Sequence, residues 1–147
     1  MMKMLPKEIC FDMDGTIADF YGVENWLQDL QNESTRPYDI ARPLVNMVKL
    51  DKILSRLQAN GYTVKIISWM AKAGTADFNQ RVRLAKINWL KKQFNSFCFD
   101  NVYVIPYGEP KEKYGNGILF DDEKQNRDAW NGIAYDVQNI LEILQNL

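Results

Sequence analysis

Three short apolar runs in this chain each end on a polar or acidic side chain, and helix-period stretches separate them. Glu8 to Asp12 reads Glu-Ile-Cys-Phe-Asp, Thr63 to Ser68 reads Thr-Val-Lys-Ile-Ile-Ser, and Gly117 to Asp121 reads Gly-Ile-Leu-Phe-Asp. Continuous apolar runs bounded by turn residues predict strands buried on both faces. Val102 to Ile105, closed by Pro106, adds another strand, and Gly132 to Tyr135 a weak fifth. Between them, Leu50, Ile53, Leu54 and Leu57 mark one helix face, stopped by Asn60-Gly61. Phe78, Val82, Ala85 and Trp89 mark a second, capped by Thr75 or Asp77, and Val137, Ile140, Leu141 and Leu144 a third, capped by Asp136. Val23, Trp26, Leu27 and Leu30 predict a short helix after the first strand, followed by a polar loop from Gln31 to Pro43. The expectation is an α/β chain in the Rossmann-like α/β/α sandwich class, with a central parallel sheet in one domain over residues 1–147.

Composition narrows the chemistry. A length of 147 residues suits one domain with a real core. A net charge of −1 gives no global pull toward nucleic acid or anionic lipid. The chain has no histidine, which excludes a Ser-His-Asp triad, a Cys-His dyad and His-ligated zinc. Acid–base work falls to Asp, Glu, Lys, Tyr or Cys. Cys10 and Cys98 have no metal-ligand spacing and read as buried core thiols. Free thiols, the lack of a leader-like apolar region in Met1 to Pro6 and the lack of a run of transmembrane length predict a cytoplasmic protein.

Parallel sheets place working groups at the carboxyl ends of their strands, near a topological switch point. Asp12-Met13-Asp14-Gly15-Thr16 follows the first strand. Its two acids are re-aimed by a turn at Asp14-Gly15, where glycine lets the backbone pass close to a ligand. Asp121-Asp122 follows a later strand, and adjacent acids of this kind suit a hard divalent cation such as magnesium. The competing reading is a helix cap followed by a solvated acid. Ser68 could donate to a phosphoryl oxygen, and Lys111 could place a cation beside it, with Lys113 competing for that role. Trp69 and Lys72 follow Ser68 and border the same strand end. Arg81, Arg83, Lys86, Lys91 and Lys92 share one helix and read as a solvated outer face, with a track for a nucleic-acid backbone as the alternative.

Together these residues resemble the haloacid dehalogenase superfamily of phosphatases. Asp12 to Thr16 matches its first motif, Ile66-Ile67-Ser68 the second, Lys111 the third and Asp121-Asp122 the fourth, with Asn126 where members often carry a polar residue. The opening Phe11 to Phe20 looks like the 5′(3′)-deoxyribonucleotidase branch, as does the spacing from Lys111 to the acidic pair. The resemblance implies a magnesium-dependent phosphatase of small phosphate monoesters, a nucleotidase of that branch. Asp12 would be the nucleophile and Asp14 the general acid and base. The cation would be held by Asp12, Asp14 through its main-chain carbonyl, Asp121 and Asp122, with Asp122 the direct ligand of the pair. Ser68, Lys111, Phe20 and Trp69 would contact substrate. The resemblance also implies a helical cap after the first strand, here reduced to residues 17–43, with Asp19 and Phe20 at its base and a more open site. Trp26 is assigned to packing within the short helix. Two other readings compete: a phosphatase trimming nucleic-acid 3′-ends, and a non-enzymatic receiver domain, whose acidic pair would follow the first strand instead.

Overall fold

The computed structural model describes residues 5–147. The expectation for Met1 to Met4 lies outside them. The core is a five-stranded parallel sheet built from β1 (Glu8–Phe11), β4 (Thr63–Trp69), β5 (Asn101–Ile105), β6 (Ile118–Phe120) and β7 (Ile133–Tyr135), in the order β5-β4-β1-β6-β7. Helices flank it, so the α/β architecture and parallel sheet are as expected, and compatible with a Rossmann-like sandwich.

Strand alternation divides the core. Ile9, Phe11, Val64, Ile66, Ile118 and Phe120 face α3 (Met47–Ala59), α6 (Ile140–Gln145) and the C-terminal half of α4 (Ala76–Gln93). Cys10, Ile67, Leu119 and Ile105 face the other way, toward Trp130 at the end of α5 (Lys124–Ala129) and toward Tyr114. The chain moves outward from β1 to β4 and β5, then returns to β6 on the opposite side of β1. That reversal makes the carboxyl ends of β1, β4 and β6 the switch point.

Between β1 and α3 the chain makes a compact insertion: β2 (Ala18–Asp19), α1 (Trp26–Gln31), α2 (Arg36–Ile40) and β3 (Arg42–Pro43). β2 and β3 pair antiparallel, Ala18 with Pro43 and Asp19 with Arg42, and the Leu44 N–H donates to the Ile17 carbonyl at 2.8 Å. The stem of the insertion therefore closes between Ile17 and Leu44, with Asp19 in it. Its content differs from the expected loop. Gln31 to Pro43 contains α2, whose Pro37 and Tyr38 are buried. Tyr38 joins Phe20, Ala71, Phe78, Val82 and Ala85 in a second apolar cluster, with Trp26 and Leu30 against it. Pro37 suits the first turn of a helix, where its missing N–H costs nothing. Glu33 fastens the insertion to the sheet domain: its carboxylate accepts from the Thr75 N–H at 3.0 Å and the Thr75 hydroxyl at 3.1 Å.

Three smaller expectations shift. Thr75 caps α4, accepting from the Phe78 N–H at 3.1 Å. α6 starts at Ile140 after Asn139, later than expected, because Asp136 accepts from the adjacent Val137 N–H and holds a turn there. Cys10 is buried, but Cys98 is exposed. Phe97 turns into the core and Phe99 is partly buried, so the residue between them points outward. Among the described residues no helix is long and apolar enough to cross a membrane.

Candidate active site

The ends of β1 and β4 deliver Asp12 and Ser68 into one cavity of about 500 Å³, and Asp121 is joined to Asp12 through Lys111. Asp12 follows β1, Ser68 lies in β4 and Asp121 follows β6, and all three are buried. Gly15 has φ +82°, and a side chain there would collide with the Asp122 carboxylate. The glycine thus lets the Asp14-Gly15 turn pass against the acidic pair. Thr16 reinforces the join: its hydroxyl donates to Asp12 Oδ2 at 2.9 Å and lies 3.3 Å from Asp122 Oδ1.

Asp12, Asp121 and Asp122 each offer a carboxylate oxygen, and these lie within 4.8 Å of one another. Such an oxygen-only set fits a hard divalent cation. Lys111 sits between two of them, donating to Asp12 Oδ1 at 2.8 Å and Asp121 Oδ2 at 2.9 Å. Lys113, exposed in the same turn, does not reach the site, which decides between the two candidates. Asn126 donates to Asp121 Oδ2 at 3.1 Å, and the Glu123 N–H donates to Asp121 Oδ1 at 2.9 Å. Asp121 is thus fully engaged, and Asp122 has the freer carboxylate.

The Asp14 side chain does not join this cluster. It points to Lys86, whose Nζ donates to Asp14 Oδ2 at 3.0 Å, Ser68 Oγ at 2.6 Å and the Trp69 carbonyl at 2.8 Å. Lys86 was expected on a solvated face, yet it is 1% exposed. Spacing alone does not single it out. Four residues after Val82 and three before Trp89, Lys86 borders the apolar stripe of α4, but Arg81, three after Phe78 and four before Ala85, borders it equally and is exposed. Only the edge that meets the sheet buries its lysine, with three partners.

Charge sets the titration of the cluster. Burial opposes ionisation of Asp12, but the Lys111 ammonium holds its carboxyl below the ordinary value. Asp14 is raised by burial, which outweighs Lys86. Burial and then the Asp12 charge push Asp121 up to about 6. Burial and then its hydrogen bond with Asp12 push Asp122 up to about 8. Lys111 is raised despite burial, by Asp12 and Asp121. Were all four carboxyls (Asp12, Asp14, Asp121, Asp122) ionised, they would outnumber the two ammonium groups (Lys86, Lys111), an excess that adds to burial in raising Asp14 and Asp122 and that a divalent cation would balance.

Aromatic side chains wall the cavity. Phe20, expected there from the sequence, packs at a tilt against Tyr38 with ring centroids 4.7 Å apart and against Trp26 at 5.4 Å. Trp26 therefore borders the cavity as well as packing within its helix. Trp69 lines the cavity too, 5.0 Å from Tyr107, and its indole donates to the Glu109 carbonyl at 2.9 Å. Lys72 also lines it. Tyr21, Tyr38 and Tyr107 carried no sequence signal, since each belongs to a segment whose position depends on tertiary packing. No protein-family model matches the chain, and no curated protein matches its sequence.

Proposed function

We propose that this chain is a magnesium-dependent phosphohydrolase of the haloacid dehalogenase type, acting on small phosphate monoesters with Asp12 as nucleophile. The observation that supports it most is the meeting of Asp12, Asp121 and Asp122 within 4.8 Å, beside a cavity that Asp12, Asp14, Ser68 and Lys111 also line. A carboxylate attacking phosphate faces a repulsion of about 4 kcal/mol per pair of unit charges at about 4 Å and an effective dielectric near 20. Lys111 reduces that repulsion for Asp12. Magnesium would be held by the carboxylates of Asp12, Asp121 and Asp122, with Asp122 the preferred direct ligand, and by the Asp14 main-chain carbonyl. When bound, it neutralises charge on the phosphoryl oxygens.

The residues then divide the work. Asp12 forms a bond to phosphorus as the bond to the leaving oxygen breaks, and Asp14 gives that oxygen a proton. Asp14 next takes a proton from water, which attacks the phosphorus of the aspartyl-phosphate, releasing phosphate and restoring Asp12. Ser68 donates a hydrogen bond to a phosphoryl oxygen. The aromatic walls favour a substrate with a flat, apolar group, which fits a nucleoside monophosphate and the 5′(3′)-deoxyribonucleotidase branch. The cap role falls to the 17–43 insertion. Two free thiols fit a reducing compartment such as the cytoplasm.

Mononucleotides are favoured over nucleic-acid ends. Of the basic helix, Lys86 is buried and Arg81 is paired with Asp77 at 3.2 Å. Lys91 and Lys92 lie in the last turn of α4, whose first turn is the one near the site. A magnesium-dependent screen of phosphate monoesters, with mononucleotides set against 3′-phosphorylated oligonucleotides, tests both readings. Turnover of mononucleotides that Asp12→Asn abolishes, in a protein whose circular dichroism is unchanged, is the expected result. Near-normal activity in Asp12→Asn would remove the nucleophile.

A further inference from the structure

Lys86 is an ammonium group buried behind the reaction site rather than in it. Asp14 and Ser68 line the cavity, while Lys86 does not. An ammonium has three donors and no acceptor. All three are spent, on Asp14 Oδ2, Ser68 Oγ and the Trp69 carbonyl. A phosphoryl oxygen could be reached only by giving one of them up, so the residue's effect runs through its partners.

The direction of these bonds carries information. Lys86 can only donate, so Ser68 Oγ can only accept from it. The Ser68 hydroxyl hydrogen must then point elsewhere, and the side chain borders the cavity. The same ammonium holds Asp14 by Oδ2 alone, and among the described residues Asp14 Oδ1 makes no hydrogen bond. Oδ1 is therefore the oxygen left to exchange a proton with a bound molecule. Lys86 also lies 5.2 Å from the centre of the Tyr38 ring, so the insertion packs over it.

We infer that Lys86 is a positioning residue: it orients the Ser68 hydroxyl toward the transferring phosphoryl group and presents Asp14 Oδ1 to the leaving oxygen. The inference rests on the phosphohydrolase reading above and adds to it a residue outside the four motif positions. One lysine thus links the group that binds phosphate to the group that moves the proton, so removing it affects both.

The dependence on the leaving group separates positioning from a structural role. A leaving group as weakly basic as p-nitrophenolate needs little protonation on departure, whereas an alkoxide needs a full proton. Steady-state kinetics of the full chain with magnesium are compared on p-nitrophenyl phosphate and on a simple alkyl phosphate. In Lys86→Met, kcat/KM on the alkyl ester, which reports the step in which the leaving group departs, is expected to fall about 100-fold, the lower end of general-acid contributions. The fall on p-nitrophenyl phosphate should be at least several times smaller. Lys86→Arg, which keeps donors and charge, should recover part of the alkyl-ester rate. Lys86→Met added to Asp14→Asn should cost less than Lys86→Met costs alone, the remainder being the part that acts through Ser68. Equal losses on both esters, or full additivity with Asp14→Asn, would overturn the inference while leaving the phosphohydrolase reading intact. If Lys86→Met fails to fold, Lys86→Arg and Lys86→Gln carry the same comparison. A wild-type protein that hydrolyses neither ester would remove the reading beneath it, and the inference with it.

Discussion

The two buried lysines of the site hold opposite ends of it, and they do different work. Lys111 comes from a short 3-10 turn and bonds two carboxylates, Asp12 and Asp121. Lys86 comes from the middle of an 18-residue helix and bonds one carboxylate, one hydroxyl and one carbonyl. The Lys111 end is a matter of charge: it offsets carboxylates gathered tightly enough to hold a cation. The Lys86 end is a matter of direction, since its donors fix where Asp14 and Ser68 point. Removing charge compensation should therefore cost more than removing orientation.

The largest effect is expected from Lys111→Met. It leaves Asp121, which is 0% exposed, without its ammonium. Loss of one partner from a buried ion pair costs about 3 kcal/mol or more. Thermal melts should show that loss, and kcat/KM should drop about 1000-fold, beyond the loss in Lys86→Met, for want of electrostatic stabilisation. A milder phenotype than that of Lys86→Met would reverse the ranking of the two ends.

Asn126→Ala sharpens the contrast. Asn126 supports only the Asp121 end, through the 3.1 Å bond to Oδ2. Loss of a partner that supports a metal ligand typically weakens metal binding by about tenfold or more. Calorimetric titration with magnesium should show that change in Asn126→Ala and almost none in Lys86→Met. Similar losses in both variants would mean that the two ends are not separate.

A third way of holding a buried carboxylate gives the scale. Asp51 of α3 uses no lysine: its Oδ2 accepts from the main-chain N–H groups of Asn95, Ser96 and Phe97 at 2.9, 3.0 and 3.3 Å. Burial opposes its charge, but these donors win and lower its pKa. A lowered folded-state value gives stability that is present above the unfolded value and lost as pH falls through the folded one. Asp51→Asn should cost about 2 kcal/mol at neutral pH. The difference from wild type should shrink below about pH 4, near the unfolded carboxyl value. Denaturant melts across pH check both; a gap that stays constant into acid would show that charge is not what Asp51 contributes.

The smallest effect is expected from Tyr38→Leu, which removes the ring over Lys86 but keeps apolar bulk. A partly desolvated cation–π contact of about 1 kcal/mol corresponds to a rate loss of about fivefold. Loss of more than 100-fold would make the insertion, not the helix, the element that places Lys86.

The same two ends differ in how plainly the chain announces them. Asp12, Ser68 and Asp121 stand where apolar strands stop, and strand periodicity places them without knowledge of the tertiary fold. Lys111 was legible only as one of two candidates: Lys113 lies in the same connection, nearer to Asp121 in sequence, and the 3-10 turn buries Lys111 while leaving Lys113 exposed. Lys86 was not, because five basic residues on one helix look alike until one knows which edge of the apolar stripe meets the sheet. The insertion was legible at its stem, where Asp19 and Phe20 follow the first motif. It was not legible over Gln31 to Pro43, where a polar sequence hides the buried Pro37 and Tyr38. Tyr38 is buried by packing on α4 rather than by any local pattern. Cys98 shows the reverse error: its phenylalanine neighbours suggested burial, but alternation turned it outward.

The nucleophile itself can be observed chemically. Protein turning over a phosphate monoester with magnesium is quenched rapidly in acid, reduced with borohydride and mapped by peptide mass spectrometry. An acyl phosphate on Asp12 is reduced to homoserine, so the conversion is expected in the peptide that contains Phe11 to Thr16 and at position 12 alone. Steady hydrolysis accompanied by conversion at another acidic residue, with Asp12 untouched, would contradict the assignment.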